Sequence, residues 1–202
     1  MHYLTTVLAN QDPGGRRGLI KINKRPMIEY VLDAVPEDTD EIVIMAQQAS
    51  LNEYRGIAEN YGAQLLDAGP KELDIRFHLE QLFREKSCDA VVALSCDTPL
   101  INREVVMFLR DVVTRFSAGI PRPVFDKPEF TPASYRVKPF LQAMDQNPEL
   151  KMGDLVKHVG NVLYISLQSF KVFDDKLRFL VKVQTQSDVR KAAQILQSVT
   201  GE

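Results

Sequence analysis

Tyr3-Leu4-Thr5-Thr6-Val7-Leu8-Ala9-Asn10-Gln11-Asp12-Pro13-Gly14-Gly15-Arg16-Arg17-Gly18 opens the chain, and its reading decides the fold. Residues 3–8 have strand composition, and Pro26-Met27-Ile28-Glu29-Tyr30-Val31-Leu32 has helix composition. The stretch between them reads as a turn at the end of a strand, where backbone amides and the guanidinium groups of Arg16 and Arg17 gather to grip phosphate. Glycine lets the backbone approach an anion, guanidinium forks bind its oxygens two at a time, and Lys21 adds a third cation. The same composition also suits a solvated surface loop, so the surroundings must decide.

Those surroundings alternate. Met27, Ile28, Val31, Leu32 and Val35 recur at helical spacing and stop at Pro36. Glu41-Ile42-Val43-Ile44-Met45-Ala46 is an apolar run of strand length. Leu51, Tyr54, Ala58 and Tyr61 follow with a helical period ended by Gly62, and Ala63-Gln64-Leu65-Leu66 is a third short strand. After the turn Asp67-Ala68-Gly69-Pro70, the residues Ile75, Leu79, Leu82 and Phe83 place one apolar stripe on a helix. Asp89-Ala90-Val91-Val92-Ala93-Leu94-Ser95 is apolar enough for the centre of a parallel sheet. The next helix carries Val105, Leu109, Val112, Val113 and Phe116. Residues 1–117 therefore read as a four-strand α/β unit with parallel strands and helical crossovers.

From Ile120 onward Pro121, Pro123, Pro128 and Pro132 punctuate the chain, which favours antiparallel or irregular structure over another crossover. Helices over 137–145 and 154–158, a strand over 161–165 and a last helix with Val189, Ala192, Ala193, Leu196 and Val199 complete the pattern. No linker, repeat or low-complexity tract interrupts it. A single domain over 1–202 is expected, in which 118–202 caps the open edge of the sheet formed by 1–117 and lines one side of its cleft.

With 202 residues, 45% of them hydrophobic and 26% charged, the chain can bury one sizeable core as a compact soluble protein. A net charge of -2 with interspersed signs implies no non-specific binding to nucleic acid or to an anionic membrane. No stretch reads as a signal peptide or a membrane span, so a cytoplasmic setting is expected. Cys88 and Cys96 sit at the two ends of one strand, too far apart to bridge, which predicts free buried thiols. His2, His78 and His158 are scattered, with no metal-ligand spacing among them.

In open α/β sheets ligands bind beyond the carboxyl ends of the strands. The first loop, the turn after Asp67, and Asp97 all follow strands and should meet at one crevice. Asp97 ends an apolar strand, where a carboxylate needs water, a donor or a cation, and a hard cation such as magnesium uses one or two carboxylates plus phosphate oxygens. Alternatively Asp97-Thr98-Pro99-Leu100-Ile101-Asn102 is a turn into a helix, with Thr98 or Asn102 as its N-cap.

The Leu8-Ala9 loop, Lys24-Arg25-Pro26-Met27-Ile28-Glu29-Tyr30-Val31-Leu32, Leu94-Ser95-Cys96-Asp97-Thr98-Pro99-Leu100, Thr131-Pro132-Ala133-Ser134-Tyr135-Arg136, Met152-Gly153-Asp154-Leu155-Val156 and Thr185-Gln186-Ser187-Asp188-Val189 occur in this order. Over nearly the whole chain this resembles the molybdopterin-guanine dinucleotide synthesis protein A family. The resemblance implies a Rossmann-like three-layer α/β sandwich of the nucleotide-diphospho-sugar transferase type, with a mostly parallel sheet and helices on both faces. It implies magnesium, a nucleoside triphosphate (GTP favoured) and a phosphorylated acceptor such as molybdopterin, with loss of pyrophosphate. By the same resemblance Asp97 is the metal ligand, and Arg16 and Arg17 clamp the triphosphate. Leu8, Ala9, Asn10, Gln11, Gly14, Gly15, Lys21, Asp67, Gly69 and Pro70 then surround the nucleotide. The chain departs from the family at Asn10-Gln11, where the family has two glycines, at Lys71-Glu72-Leu73 after Pro70, and at Lys182 and Gln184, where it has asparagines. Two variants remain: guanylyl transfer to cobinamide phosphate, which Leu19-Ile20-Lys21 and Lys71-Glu72 also resemble, and a nucleotide-binding module that has lost catalysis. Base, acceptor and oligomeric state stay open at this level.

Overall fold

The structure is a computed structural model that describes residues 1–10, 12, 14–69, 74–123 and 127–200. The expectations for Gln11, Pro13 and residues 70–73, and for the Val199 side chain, lie outside what is described.

The first strand, β1 (Tyr3–Leu8), leads through the loop and a 3-10 turn (Arg17–Leu19) into a two-stranded hairpin, β2 (Lys21–Ile22) and β3 (Arg25–Pro26), and then into α1 (Met27–Asp33). Next come β4 (Glu41–Ala46), a 3-10 turn over Leu51–Tyr54, α2 (Arg55–Tyr61), β5 (Gln64–Asp67), α3 (Ile75–Glu85), β6 (Ala90–Ser95) and α4 (Arg103–Val113). The second half supplies β7 (Ala118–Arg122), β8 (Ala133–Arg136), α5 (Val137–Gln146), α6 (Met152–Leu155), β9 (Val162–Ser166), α7 (Leu167–Phe170) and α8 (Gln186–Thr200).

Among the described residues seven strands form one sheet in the order β5-β4-β1-β6-β8-β7-β9. Strands β5, β4, β1 and β6 are mutually parallel, as the alternating first half requires. β8 runs antiparallel to both β6 and β7, and β9 returns parallel to β7. The proline-punctuated segment thus yields the antiparallel strand that was expected, and the second half extends the sheet from the β6 edge by pairing.

Side chains alternate across the strands and build two cores. Val7, Ala9, Val92, Leu94 and Cys96 face α1, α2, α4 and α7 on one side. Leu4, Leu8, Val91 and Ala93 face α3, α5 and α6 on the other. The result is a three-layer α/β sandwich. The hairpin was not expected, because two-residue strands carry no readable period; Asn23 and Lys24 take positive φ at its turn, and Ile22 packs with Met27, Val183 and Ala192 of α8 in a third, smaller cluster. Among the described residues no helix is long and apolar enough to cross a membrane. Cys88 and Cys96 are both free thiols, as their strand spacing predicted; Cys96 is buried as expected, but Cys88, just before β6, is only half-buried.

Candidate active site

β1 is flanked by β4 on one side and β6 on the other, so the switch in strand order falls between β1 and β6. At the carboxyl end of β6 the chain turns after Ser95, and within that turn Ser95 Oγ donates to Asp97 Oδ1 at 2.7 Å. Asp97 is 1% exposed. Its Oδ2 faces Arg17 Nη1 at 3.7 Å, beyond hydrogen-bond reach, and the Arg17 side chain is itself mostly buried. At that separation opposite charges attract by about 4 kcal/mol at an effective dielectric of ~20, before desolvation is charged against them. The helix-cap alternative for Asp97 is settled by Asn102, whose side chain accepts from the Val105 amide at 3.0 Å and caps α4. Thr98 instead donates from Oγ1 to the Ser95 carbonyl.

The opening loop is fixed against this corner. Gly18 packs so closely that an added Cβ would lie 2.9 Å from Tyr54 Oη and 3.2 Å from Cys96 Cβ. Tyr54 is fully buried, and its hydroxyl donates to the Gly15 carbonyl at 2.8 Å. Burial raises the Tyr54 pKa above the usual phenol range, so this donor stays protonated. Gly15 has φ +63 and lies where a Cβ would strike Ser50 Oγ at 2.6 Å. Gln47, which follows β4 as Asp97 follows β6, donates to the Asp12 carbonyl at 2.8 Å.

The backbone donors that the sequence assigns to phosphate are engaged within the chain. Asp12 accepts from the Arg17 amide at 2.8 Å and from the Arg16 amide at 3.3 Å, and its carbonyl accepts from the Gly15 amide at 3.0 Å. A carboxylate four and five residues upstream reaches these amides more easily than a distant partner does. The two arginines also part company: Arg16 turns outward to Glu53, with Nε to Oε1 at 2.7 Å, while Arg17 turns in to Asp97. Lys21 is exposed on the hairpin. At Gly14 an added Cβ would make only ordinary van der Waals contact, with Arg16 Nη1 and Asp12 Oδ2 both at 3.7 Å.

Leu8 and Ala9 are buried, and the Ala9 amide bonds the Met45 carbonyl. Asn10 is 3% exposed, and its Nδ2 donates to His78 Nε2 on α3 at 2.9 Å. Its Oδ1 is buried with no hydrogen-bond partner among the described residues. From the end of β5, Asp67 Oδ1 accepts the Gly69 amide at 3.0 Å, and Gly69 takes φ +64. On the far flank the Val183 amide donates to the Asp97 carbonyl at 2.7 Å and lays residues 182–184 beside the site. Lys182 there reaches Glu129 at 3.4 Å.

Sequence reasoning missed Gln47, Tyr54, His78 and Val183 as parts of this corner. Gln47 had a usable signal, its position directly after a strand; Tyr54 and His78 reach the opening loop, and Val183 the Asp97 turn, only through tertiary contacts. Among the described residues no three His, Cys, Asp or Glu side chains form a metal cage. A cavity of about 510 Å³ lined by Cys88, Asp89, Lys138 and Asp145 lies at the opposite end of β6 and takes no part in this chemistry.

The sequence model of the MobA-like NTP transferase domain matches residues 12–161. The chain belongs to the MobA-like NTP transferase family. It is 26% identical over 197 residues to a molybdenum cofactor guanylyltransferase of Vibrio campbellii, covering 93% of this chain and 91% of the relative. It is 29% identical over 147 residues to one from Vibrio vulnificus, covering 71% and 72%. Among solved structures it is similar to molybdopterin-guanine dinucleotide biosynthesis protein A of Archaeoglobus fulgidus, with TM-score 0.73, 19% identity and coverage of 96% and 99%. The 4-diphosphocytidyl-2C-methyl-D-erythritol synthase of Anaerococcus prevotii shares the fold at TM-score 0.73 and 15% identity, covering 96% and 98%. The MobA-like fold is therefore the nucleotide-diphospho-sugar transferase sandwich that the resemblance implied.

Proposed function

We propose that this chain is a nucleotidyltransferase that moves guanylate from GTP to a phosphorylated acceptor of the molybdopterin type. An acceptor phosphate oxygen forms a bond to the α-phosphorus while the bond to the β-phosphate oxygen breaks, and pyrophosphate leaves. The observation that carries the reading is the pairing of the Arg17 loop with buried Asp97 at the strand-order switch. The names of the guanylyltransferase relatives support the base and the acceptor.

The donor set fits a hard divalent cation such as magnesium. Asp97 is a buried carboxylate whose Oδ1 takes one hydrogen bond while, among the described residues, Oδ2 has only a long approach from Arg17, which leaves an oxygen for a cation whose other ligands come from phosphate and water. Bound there with Asp97, the cation would offset charge on the phosphates undergoing transfer. The remaining work falls to the chain itself. Ser95 fixes the rotamer of Asp97 through Oδ1, and Val183 fixes its backbone. Arg17 offers a planar fork to the triphosphate, and Gly15 and Gly18 allow the loop to lie close enough for it to reach. Leu8, Ala9, Asn10, Asp67 and Gly69 line the nucleoside side, and residues 182–184 face the acceptor. Such a transfer requires alignment and charge stabilisation more than covalent help.

A panel of nucleoside triphosphates, magnesium and phosphorylated acceptors tests this reading by pyrophosphate release. GTP with a molybdopterin-type acceptor is expected to give the fastest release, and cobinamide phosphate in its place separates the related reaction. The engagement of the Arg16 and Arg17 amides by Asp12 favours one second reading, a module that binds nucleotide without transferring it. Calorimetric GTP binding without turnover on any acceptor would select it.

A further inference from the structure

Arg17 is held beside Asp97 by more than its own charge. Its amide bonds Asp12, the preceding Gly15 carbonyl is tied to Tyr54, and the following Gly18 packs directly on Cys96. The guanidinium thus stands 3.7 Å from Oδ2, the one carboxylate oxygen that Ser95 leaves uncovered. The neighbouring cations are directed elsewhere: Arg16 pairs with Glu53, and Lys21 is exposed on the hairpin.

We propose that Arg17 is a tethered counter-cation that keeps a free divalent cation off Asp97 and is drawn away by an incoming triphosphate, so that cation and nucleotide bind as one unit. The proposal rests on the reading of Asp97 as the cation-binding carboxylate. A single carboxylate is a poor site for a strongly hydrated cation, and a fixed guanidinium at the same oxygen makes it poorer by repulsion. A triphosphate reverses both effects. It offers Arg17 oxygens in bidentate geometry, which uncovers Oδ2, and it brings the further oxygen ligands that the cation needs. By linkage, each of the two ligands then raises the affinity for the other by the same factor, and Arg17 is the element through which part of that coupling passes.

The test uses Mn2+ as the probe, with the full chain and a GTP analogue that cannot be cleaved between the α- and β-phosphates. Free Mn2+ is counted by electron paramagnetic resonance. In the wild-type chain Mn2+ is expected to bind at least about tenfold more tightly with the analogue than without it. Arg17→Met, which keeps an apolar stem and removes the charge, is expected to bind Mn2+ alone at least about tenfold more tightly than wild type. Arg17→Lys should stay close to wild type, and adding Asp97→Asn to Arg17→Met should abolish the gain. A folded Arg17→Met variant that binds Mn2+ no better than wild type overturns the inference, as does a gain that survives Asp97→Asn. Calorimetry with GTP separates the two levels. Nucleotide binding alongside an unaltered Mn2+ affinity in Arg17→Met defeats the inference alone, whereas absence of nucleotide binding by wild type defeats the functional reading beneath it.

Discussion

Gly18→Ala is the sharpest probe of the corner. The new methyl carbon would sit 2.9 Å from Tyr54 Oη and 3.2 Å from both Cys96 Cβ and Ile28 Cβ. None of these neighbours gives way easily, since Tyr54, Cys96 and Ile28 are all fully buried and the Tyr54 hydroxyl holds the Gly15 carbonyl. Overpacking costs about 1–3 kcal/mol. Loss of the Tyr54 bond adds about 1 kcal/mol. Restriction of the unfolded chain by alanine returns about 0.4–1 kcal/mol. The net expectation is about 2 kcal/mol of destabilisation, which lowers Tm by about 4–8 °C in a chain of this size. Because Arg17 is carried on the displaced backbone, GTP affinity should fall by about tenfold or more as well. Urea denaturation and calorimetry measure the two effects. Gly14→Ala is the control, because an added Cβ there meets nothing closer than 3.7 Å. A Gly18→Ala variant as stable as Gly14→Ala, with unaltered GTP binding, would refute the close-packed corner.

Asp74→Ala should cost about 2 kcal/mol, because one carboxylate oxygen caps α3 at the Arg76 amide and also accepts the Met152 amide at the start of α6; faster hydrogen exchange at both amides checks it, and unchanged exchange contradicts it. Asp33 is expected to shape the acid limb of stability. Burial would raise its pKa, but hydrogen bonds from Arg25 and Tyr61 prevail and lower it. A depressed carboxyl stabilises above its unfolded pKa of about 4 and loses that contribution as pH falls through the folded value, so Asp33→Asn should flatten the stability profile below about pH 4. An acid limb as steep as wild type would count against this. Burial pushes the Cys88 thiol up to about 11 and the Cys96 thiol well above its ordinary value, the latter helped by Asp97. At pH 8 the Cys88 thiolate fraction is about 0.1%, so a thiol reagent should label neither residue within minutes until the chain is unfolded. Rapid stoichiometric labelling of the folded protein would contradict the raised thiol pKa values and the burial of Cys96.

Apart from the β2–β3 hairpin, the first half of the fold was legible because its longer elements each carry their own period. Strand β1 begins and ends where its composition does, β4 coincides with its apolar run, and Gly62 ends α2 with φ +61. The pairing order was less legible, since the insertion of β8 between β6 and β7 depends on contacts between distant segments. Asp97 stood out because a carboxylate after a wholly apolar strand demands a partner, and the structure supplies Ser95 and Arg17. The two arginines could not be told apart in sequence; Glu53, far along the chain, is what turns Arg16 outward. His78 looked isolated for the same reason, because its partner Asn10 lies on another strand's end. Asp12 was read as part of the loop, yet its short side chain reaches the very amides assigned to phosphate. Local pattern thus located the site, and tertiary contacts decided which of its groups face one another.

The central claim is transfer of a nucleotide by the Arg17–Asp97 corner, and GTP labelled on its α-phosphate tests it most directly. The account predicts that label passes to a molybdopterin-type acceptor with equimolar pyrophosphate release, and that Asp97→Asn, folded and still able to bind GTP, transfers at least about a hundredfold more slowly. Transfer undiminished in Asp97→Asn would contradict it.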